Sequence, residues 1–408
     1  MAGNAGSTPS CVTPRPAALA SGQPKPDHVG PMDERNGGAM TPELPLPSGQ
    51  SSLTPEWLTQ VLRQAGAIDA GRVAEVSIEP VGTGQVADCF RCRLSYDDAA
   101  GPRAPRSVIA KLPAEDPTSR ETAVAQALYE REVRFYRELA GVVGITTPRC
   151  LHAEIDTGSG MFALVLDDLA PARETDQLSG LAPDDACTAL MELAGLHAAR
   201  WGDPRRLGLG WLEDLREQYS SAYAEFIPPL FDGFAERYGD QLEPDDLEII
   251  TAFRPHFGRF VAERPGPAAV IHGDYRTDNM LFDAAGGTIP LAVVDWQTIV
   301  TGPALVDVAF LLGASLDPAD RRAHEHDLVR EYHRALSARG VTGYPWDCCW
   351  TDYRRYAYHC LAFLVPAAMI VEQTPRGDEM FLTMIRRGCA HVTELASAAL
   401  VCRSDDGY

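Results

Sequence analysis

IHGDYRTDNMLF, residues 271–282, and VVDWQ, residues 293–297, are the two stretches on which the reading of this chain turns. An apolar run of β character, Ala269-Val270-Ile271, breaks into His-Gly-Asp, and the apolar pattern resumes at Met280-Leu281-Phe282 after Asn279. Polar groups crowded between two apolar stretches form a turn held against a core, so they either cap that turn or carry chemistry. His272, Asp274 and Asn279 follow the order H-x-D-x-x-x-x-N, and the apolar run 291–294 delivers Asp295 at a strand end. That order suits phosphoryl transfer, which asks for a carboxylate to orient and deprotonate a hydroxyl and for oxygen ligands to hold a cation on the phosphates. Asn279 and Asp295 are hard oxygen donors suited to magnesium.

Composition sets the outer bounds. With 408 residues and 45% apolar content the chain can bury a large core, and its length predicts two domains or lobes. A formal charge of −21 argues against a nucleic-acid partner, which needs a basic face. The start shows no charged segment followed by an apolar run, and the longest apolar run, 361–371, contains Pro366 and is too short to span a bilayer. The expectation is a soluble, cytoplasmic protein with no membrane partner. The Pro-, Gly- and Ser-rich residues 1–50 read as a disordered tail. The ten cysteines include one lone CxxC, Cys89 and Cys92, without a second pair for zinc, so they read as idle thiols.

Ahead of the loop, Thr54-Pro55-Glu56 reads as a helix start, and 75–112 reads as strands around Gly82-Thr83-Gly84. The glycine turn fits a dinucleotide fingerprint only if a helix follows, and alternation at Phe90, Cys92, Leu94 and Tyr96 predicts a strand instead. A glycine turn between antiparallel strands matches a loop that covers nucleotide phosphates, although an ordinary hairpin has the same signature. Lys111 is more specific. Of 36 basic residues only Lys25 and Lys111 are lysine, and Lys111 ends an apolar strand. A compact ammonium reaches phosphate oxygens where a guanidinium would not fit. On a helix over 121–140, Val124, Leu128, Glu132, Phe135 and Leu139 share one stripe, so Glu132 points inward and needs a cation, for which Lys111 is the candidate. A strand over 162–166 then leads into Asp167-Asp168-Leu169, the link between lobes whose backbone would hold adenine.

These motifs resemble the aminoglycoside-phosphotransferase and choline-kinase-like superfamily, and most of all its ecdysteroid-kinase-like branch. IHGDYRTDNMLF, VVDWQ, LAGLHAARW (193–201), YEREVRFYREL (129–139) and LTPEWL (53–58) carry the resemblance, which spans roughly residues 53–395. It implies an α+β, bilobal protein-kinase-like fold that uses ATP and magnesium, with a small β-rich lobe over 51–166 and a larger helical lobe over 167–402. It implies Lys111 as the phosphate-binding lysine partnered by Glu132, under a turn of Gly82, Thr83 and Gly84. Asp274 becomes the catalytic base, with His272 bracing its loop, and Asn279 and Asp295 become the metal ligands. Asp307 would hold the loop backbone from the next helix, or would be a plain first-turn acid.

Asp295 and Asp307 are only twelve residues apart and no APE motif follows, which leaves no room for a peptide platform. The expected partner is a small hydroxylated molecule, with helices over 210–260 and 317–395 walling its pocket. Tyr353, Tyr356, Tyr358 and His359 could line that wall, but packing accounts for them better. A catalytically inactive kinase fold is the alternative, and it usually loses one of the Lys, Asp, Asn, Asp set that is complete here. A nicotinamide oxidoreductase through Gly82–Ala87 is a third reading, and a strand after Gly84 excludes it.

Overall fold

The computed structural model describes residues 44–82, 86–97, 99–218 and 221–402. Most of the expected tail (1–43) and two residues of the glycine turn, Thr83 and Gly84, therefore lie outside the described residues. Thr54 caps α1 (Pro55–Gln64), its hydroxyl accepting the Trp57 N–H at 3.2 Å, while Pro55 occupies the first helical position, where no N–H is needed. β1 (Val73–Pro80), β2 (Ala87–Tyr96), β3 (Ser107–Pro113), β4 (Cys150–Asp156) and β5 (Met161–Asp167) form one antiparallel sheet in the order β1-β2-β3-β5-β4. β3 is the middle strand, and Lys111 pairs across it with Cys89 on β2 and Leu164 on β5. A strand, not a helix, follows the glycine turn.

The helix expected over 121–140 is not continuous. α2 (Pro117–Ala125) ends before Ala127, which adopts a left-handed conformation at φ 53°, and α3 (Leu128–Arg134) starts afresh. The helical phase is reset there, so Val124 falls off the stripe and is 42% exposed, whereas Leu128, Glu132, Phe135 and Leu139 are buried. A π turn over Phe135–Leu139 then adds a residue to the last turn, which lets the adjacent Phe135 and Tyr136 both face inward.

The second part of the chain is helical. It runs through β6 (Arg173–Glu174), α4 (Pro183–Ala198), α5 (Leu215–Gln218), α6 (Ser221–Tyr238), α7 (Pro244–Phe253), α8 (Phe257–Glu263), β7 (Ala268–Ile271), β8 (Met280–Asp283), α9 (Ala284–Gly287), β9 (Ile289–Val293) and β10 (Val300–Pro303). It closes with α10 (Leu305–Ser315), α11 (Pro318–Ala338), α12 (Trp346–Tyr356), α13 (His359–Ile370) and α14 (Pro375–Glu394). The short strands pair as β7 with β10 and as β6-β8-β9. Every residue of α10 is buried, as befits a helix apolar all round. α4 meets the loop before β4 backbone to backbone: a Cβ on Gly195 would lie 1.8 Å from the Gly144 carbonyl oxygen.

The apolar run 361–371 lies mostly in α13, and no helix among the described residues is long and apolar enough to cross a membrane. Tyr353, Tyr356, Tyr358 and His359 all sit in the core; Tyr353 Oη donates to Glu325 at 2.9 Å and lies 2.9 Å from His391 Nε2. They pack the helical part.

Candidate active site

β7 ends at Ile271, and the chain turns sharply at Gly273, where φ is 85°. A Cβ there would meet the Thr298 carbonyl oxygen at 2.5 Å, so the position that is Arg in protein kinases admits only glycine in this backbone. The turn is held from beneath by Asp307, in the first turn of α10. Its Oδ2 accepts the His272 N–H at 2.7 Å and its Oδ1 accepts the Gly273 N–H at 3.0 Å. His197 of α4 stands 3.4 Å from Asp307 Oδ2 and 2.7 Å from the Tyr332 hydroxyl. Burial would raise the Asp307 carboxyl, but His197 and the loop amide hold its pKa below the ordinary value. Its stabilising contribution is thus complete at neutral pH and is lost only as pH falls through that depressed value. Asp307→Ala should cost about 3 kcal/mol in denaturant unfolding, since it leaves buried amide donors unpaired; a loss below about 1 kcal/mol would contradict this bracing role.

His272 is fully buried with both ring nitrogens committed to backbone. Nε2 donates to the Val294 carbonyl at 3.1 Å, and Nδ1 accepts the Asp274 N–H at 3.3 Å. It ties the loop to the end of β9, and both ring nitrogens are taken up by backbone groups. Asp274 follows. Its carboxylate receives the Arg276 guanidinium (Nε at 3.1 and 3.2 Å) and the Asn279 amide (Nδ2 at 3.2 Å), and the same Nδ2 holds the Asp274 carbonyl at 2.8 Å. Burial lifts the Asp274 pKa above the ordinary value against the opposing pull of Arg276. The backbone carbonyl of Asn279 in turn accepts the Val294 N–H at 3.0 Å, which locks the loop beside Asp295.

Asp295 leaves β9 in a left-handed conformation, φ 64°, which turns its carboxylate away from the strand. Lys111 Nζ lies 2.9 Å from Asp295 Oδ1 and 2.6 Å from Glu132 Oε2, so one ammonium serves two carboxylates. Burial alone would lower the lysine pKa, but Asp295 and Glu132 hold it well above the ordinary value. For Glu132 burial prevails over Lys111 and the pKa rises, whereas for Asp295, 29% exposed, Lys111 prevails and the pKa falls. The other Glu132 oxygen, Oε1, accepts the Trp296 N–H at 3.3 Å. Trp296 stacks on Phe135 of the π turn at 3.8 Å and 9°, and also packs on His272 at 4.6 Å. This column joins the helix carrying Glu132 to both loops. Cys89, beside Lys111 on the sheet, has its thiol pushed up to about 11 by burial and stays protonated.

The structure thus draws Lys111, Glu132 and Asp295 into direct contact and places Asp274 and Asn279 on the adjoining loop. Gly82, φ 76°, lies two residues beyond the end of β1. Arg276 and the Phe135–Trp296 stack were not singled out from sequence; Arg276 lies inside the quoted loop, and its spacing of two from both Asp274 and Asp278 was the available signal. Just after β5, Asp168 is clamped by Arg91 at 2.8 Å and Ser107 at 2.6 Å. No cluster of three or more His, Cys, Asp or Glu that could hold a metal ion exists among the described residues. A metal here would rely on Asp295 and Asn279 together with phosphate oxygens and water, a donor set that fits magnesium and not zinc.

Among solved structures the chain is similar to a microcompartment-associated aminopropanol kinase, at 14% identity and TM-score 0.50, over 84% of this chain and 99% of that one. It is also similar to the GDP complex of aminoglycoside 2′-phosphotransferase-IIIa (11%, 0.47, 82% and 98%) and to Plasmodium vivax ethanolamine kinase (9%, 0.45, 84% and 89%). No curated protein matches its sequence. The fold is α+β and bilobal, of the protein-kinase-like type. The sequence model of the ecdysteroid kinase-like family matches residues 82–340, well over half of the length, and the chain belongs to the ecdysteroid kinase-like family.

Proposed function

We propose that this protein is an ATP- and magnesium-dependent kinase that transfers the γ-phosphate to a hydroxyl of a small molecule. The observation that carries the reading is Lys111, shared at 2.6 and 2.9 Å between Glu132 and Asp295, next to a loop that presents Asp274. Glu132 fixes the lysine from behind, so its ammonium can meet the nucleotide's phosphates without a search over rotamers. Magnesium, when bound, would neutralise charge developing on those phosphates, with Asp295 and Asn279 as its protein ligands. Asp274 accepts the acceptor's hydroxyl proton, and Arg276 and Asn279 aim its carboxylate. After Asp295 the chain makes one turn, enters β10 and reaches α10, which supports a small acceptor over a peptide. A fold shared with an aminopropanol kinase supports it too. α14 stands near the loop, with Met380 Sδ 3.6 Å from Arg276 and Asp378 accepting from Tyr238 of α6 at 2.7 Å, so these helices would border the acceptor.

The test is an ATP-consumption screen of the full chain against hydroxylated metabolites and antibiotics, with Asp274→Asn as the blank. Consumption that depends on one acceptor class and vanishes in the variant is expected; consumption equal in both contradicts the assignment. The acid limb of the pH–rate profile is a second check. The base works deprotonated and its pKa is raised, so the rate should fall at a pH above the range of ordinary carboxylates, near 4. An activity that stays flat down through pH 4 would place the base elsewhere.

A further inference from the structure

We propose that the Tyr129 hydroxyl is a positioning group for the nucleotide, holding the ends of β2 and β3 against the helix that carries Glu132; this rests on the kinase reading. The last paired residues of the two strands are Ala87 and Pro113. The next pair outward, Val86 and Ala114, is spanned by Tyr129: its O–H donates to the Val86 carbonyl at 2.5 Å, and its oxygen accepts the Ala114 N–H at 3.2 Å. A side chain of α3 thus closes the end of the ladder.

The placement gives this contact its reach. Tyr129 and Glu132 are three apart on α3 and share a face, while Ala114 lies three residues beyond Lys111. Helix and central strand are therefore tied twice, by the ion pair at Lys111 and by the hydroxyl at Ala114. The same hydroxyl reaches β2, on the far side of Lys111 from β5. The ring is fixed by Phe162, 4.4 Å away at 32°, and Tyr129 is fully buried, so the hydroxyl has little freedom to leave. Burial also raises its pKa, keeping the proton that Val86 needs.

Tyr129→Phe removes the hydroxyl and keeps the ring. MgATP titrated into the full chain, without acceptor, should bind more weakly to this variant, by up to about tenfold where the energy of the two lost bonds goes into holding the nucleotide site in its binding shape. The KM for ATP should rise in parallel while that for the acceptor stays unchanged. Tyr96→Phe is the control: it removes a tyrosine hydroxyl bond, to the Pro105 carbonyl at 2.7 Å, at the other end of β2, and should leave MgATP affinity unchanged. Affinity of Tyr129→Phe within about twofold of wild type, or an equal loss in both variants, would overturn the proposal. If the wild type itself fails to bind MgATP, or if Lys111→Met binds it as tightly as wild type, the kinase reading falls and the role of Tyr129 falls with it.

Discussion

Asp274→Asn should lower phosphoryl transfer by roughly two to four orders of magnitude, the range for a lost general base, while MgATP affinity stays near that of the wild type. The carboxamide fills the same space and can still accept from Arg276, so the loop keeps its shape. What it loses is the ability to take a proton from the acceptor hydroxyl. The Asp274 carboxylate is held by Arg276 and Asn279 and not by Lys111, whose carboxylate partners are Glu132 and Asp295. The measurement is a single-turnover rate beside a nucleotide titration. A variant that turns over like the wild type would remove Asp274 from the chemistry.

Lys111→Met should act on both quantities. Methionine leaves Glu132 and Asp295 as carboxylates with no cation between them, a deficit expected to cost about 3–5 kcal/mol of stability and to deprive the phosphates of their ammonium. MgATP affinity and turnover should both fall, and thermal unfolding should shift downward. Lys111→Arg is the sharper variant. The charge is kept, but a planar fork sized for two oxygens in one plane cannot occupy the narrow site between Glu132 and Asp295 without displacing the phosphates. Nearly all turnover should go with the stability loss much smaller than for methionine. Wild-type rates in Lys111→Arg would mean that the lysine is structural.

Much of this arrangement is legible in the sequence. The cap at Thr54-Pro55 is local chemistry, and local chemistry survives folding. Lys111 stood out because the chain otherwise uses arginine, and the order of Lys111, Glu132, Asp274, Asn279 and Asp295 is a one-dimensional pattern. Glu132 illustrates where such reading weakens. Its inward direction followed from a helical stripe, yet the stripe was drawn through Ala127, whose left-handed backbone no periodicity announces. Leu128 onward kept phase, so the inference about Glu132 survived while Val124 was misplaced to the interior.

In sequence Asp307 reads equally as a brace for the loop and as a plain first-turn acid of its own helix; only its two bonds to the His272 and Gly273 amides distinguish them. The Phe135–Trp296 stack joins residues far apart in the chain through a π turn, and nothing local encodes that meeting. Arg276 was legible as a charge but not as a clamp, because whether it faced Asp274 or solvent depends on the turn at Gly273.

The proposed division of labour gives Lys111 to the nucleotide and Asp274 to the acceptor. Calorimetric titration of MgATP into wild type, Lys111→Met and Asp274→Asn tests it without knowledge of the acceptor. MgATP should bind the wild type, lose about tenfold or more in affinity in Lys111→Met, as expected for a hydrogen-bonded charge removed from a buried site, and keep a value close to wild type in Asp274→Asn. Equal affinities in wild type and Lys111→Met, or no binding to the wild type, would contradict it.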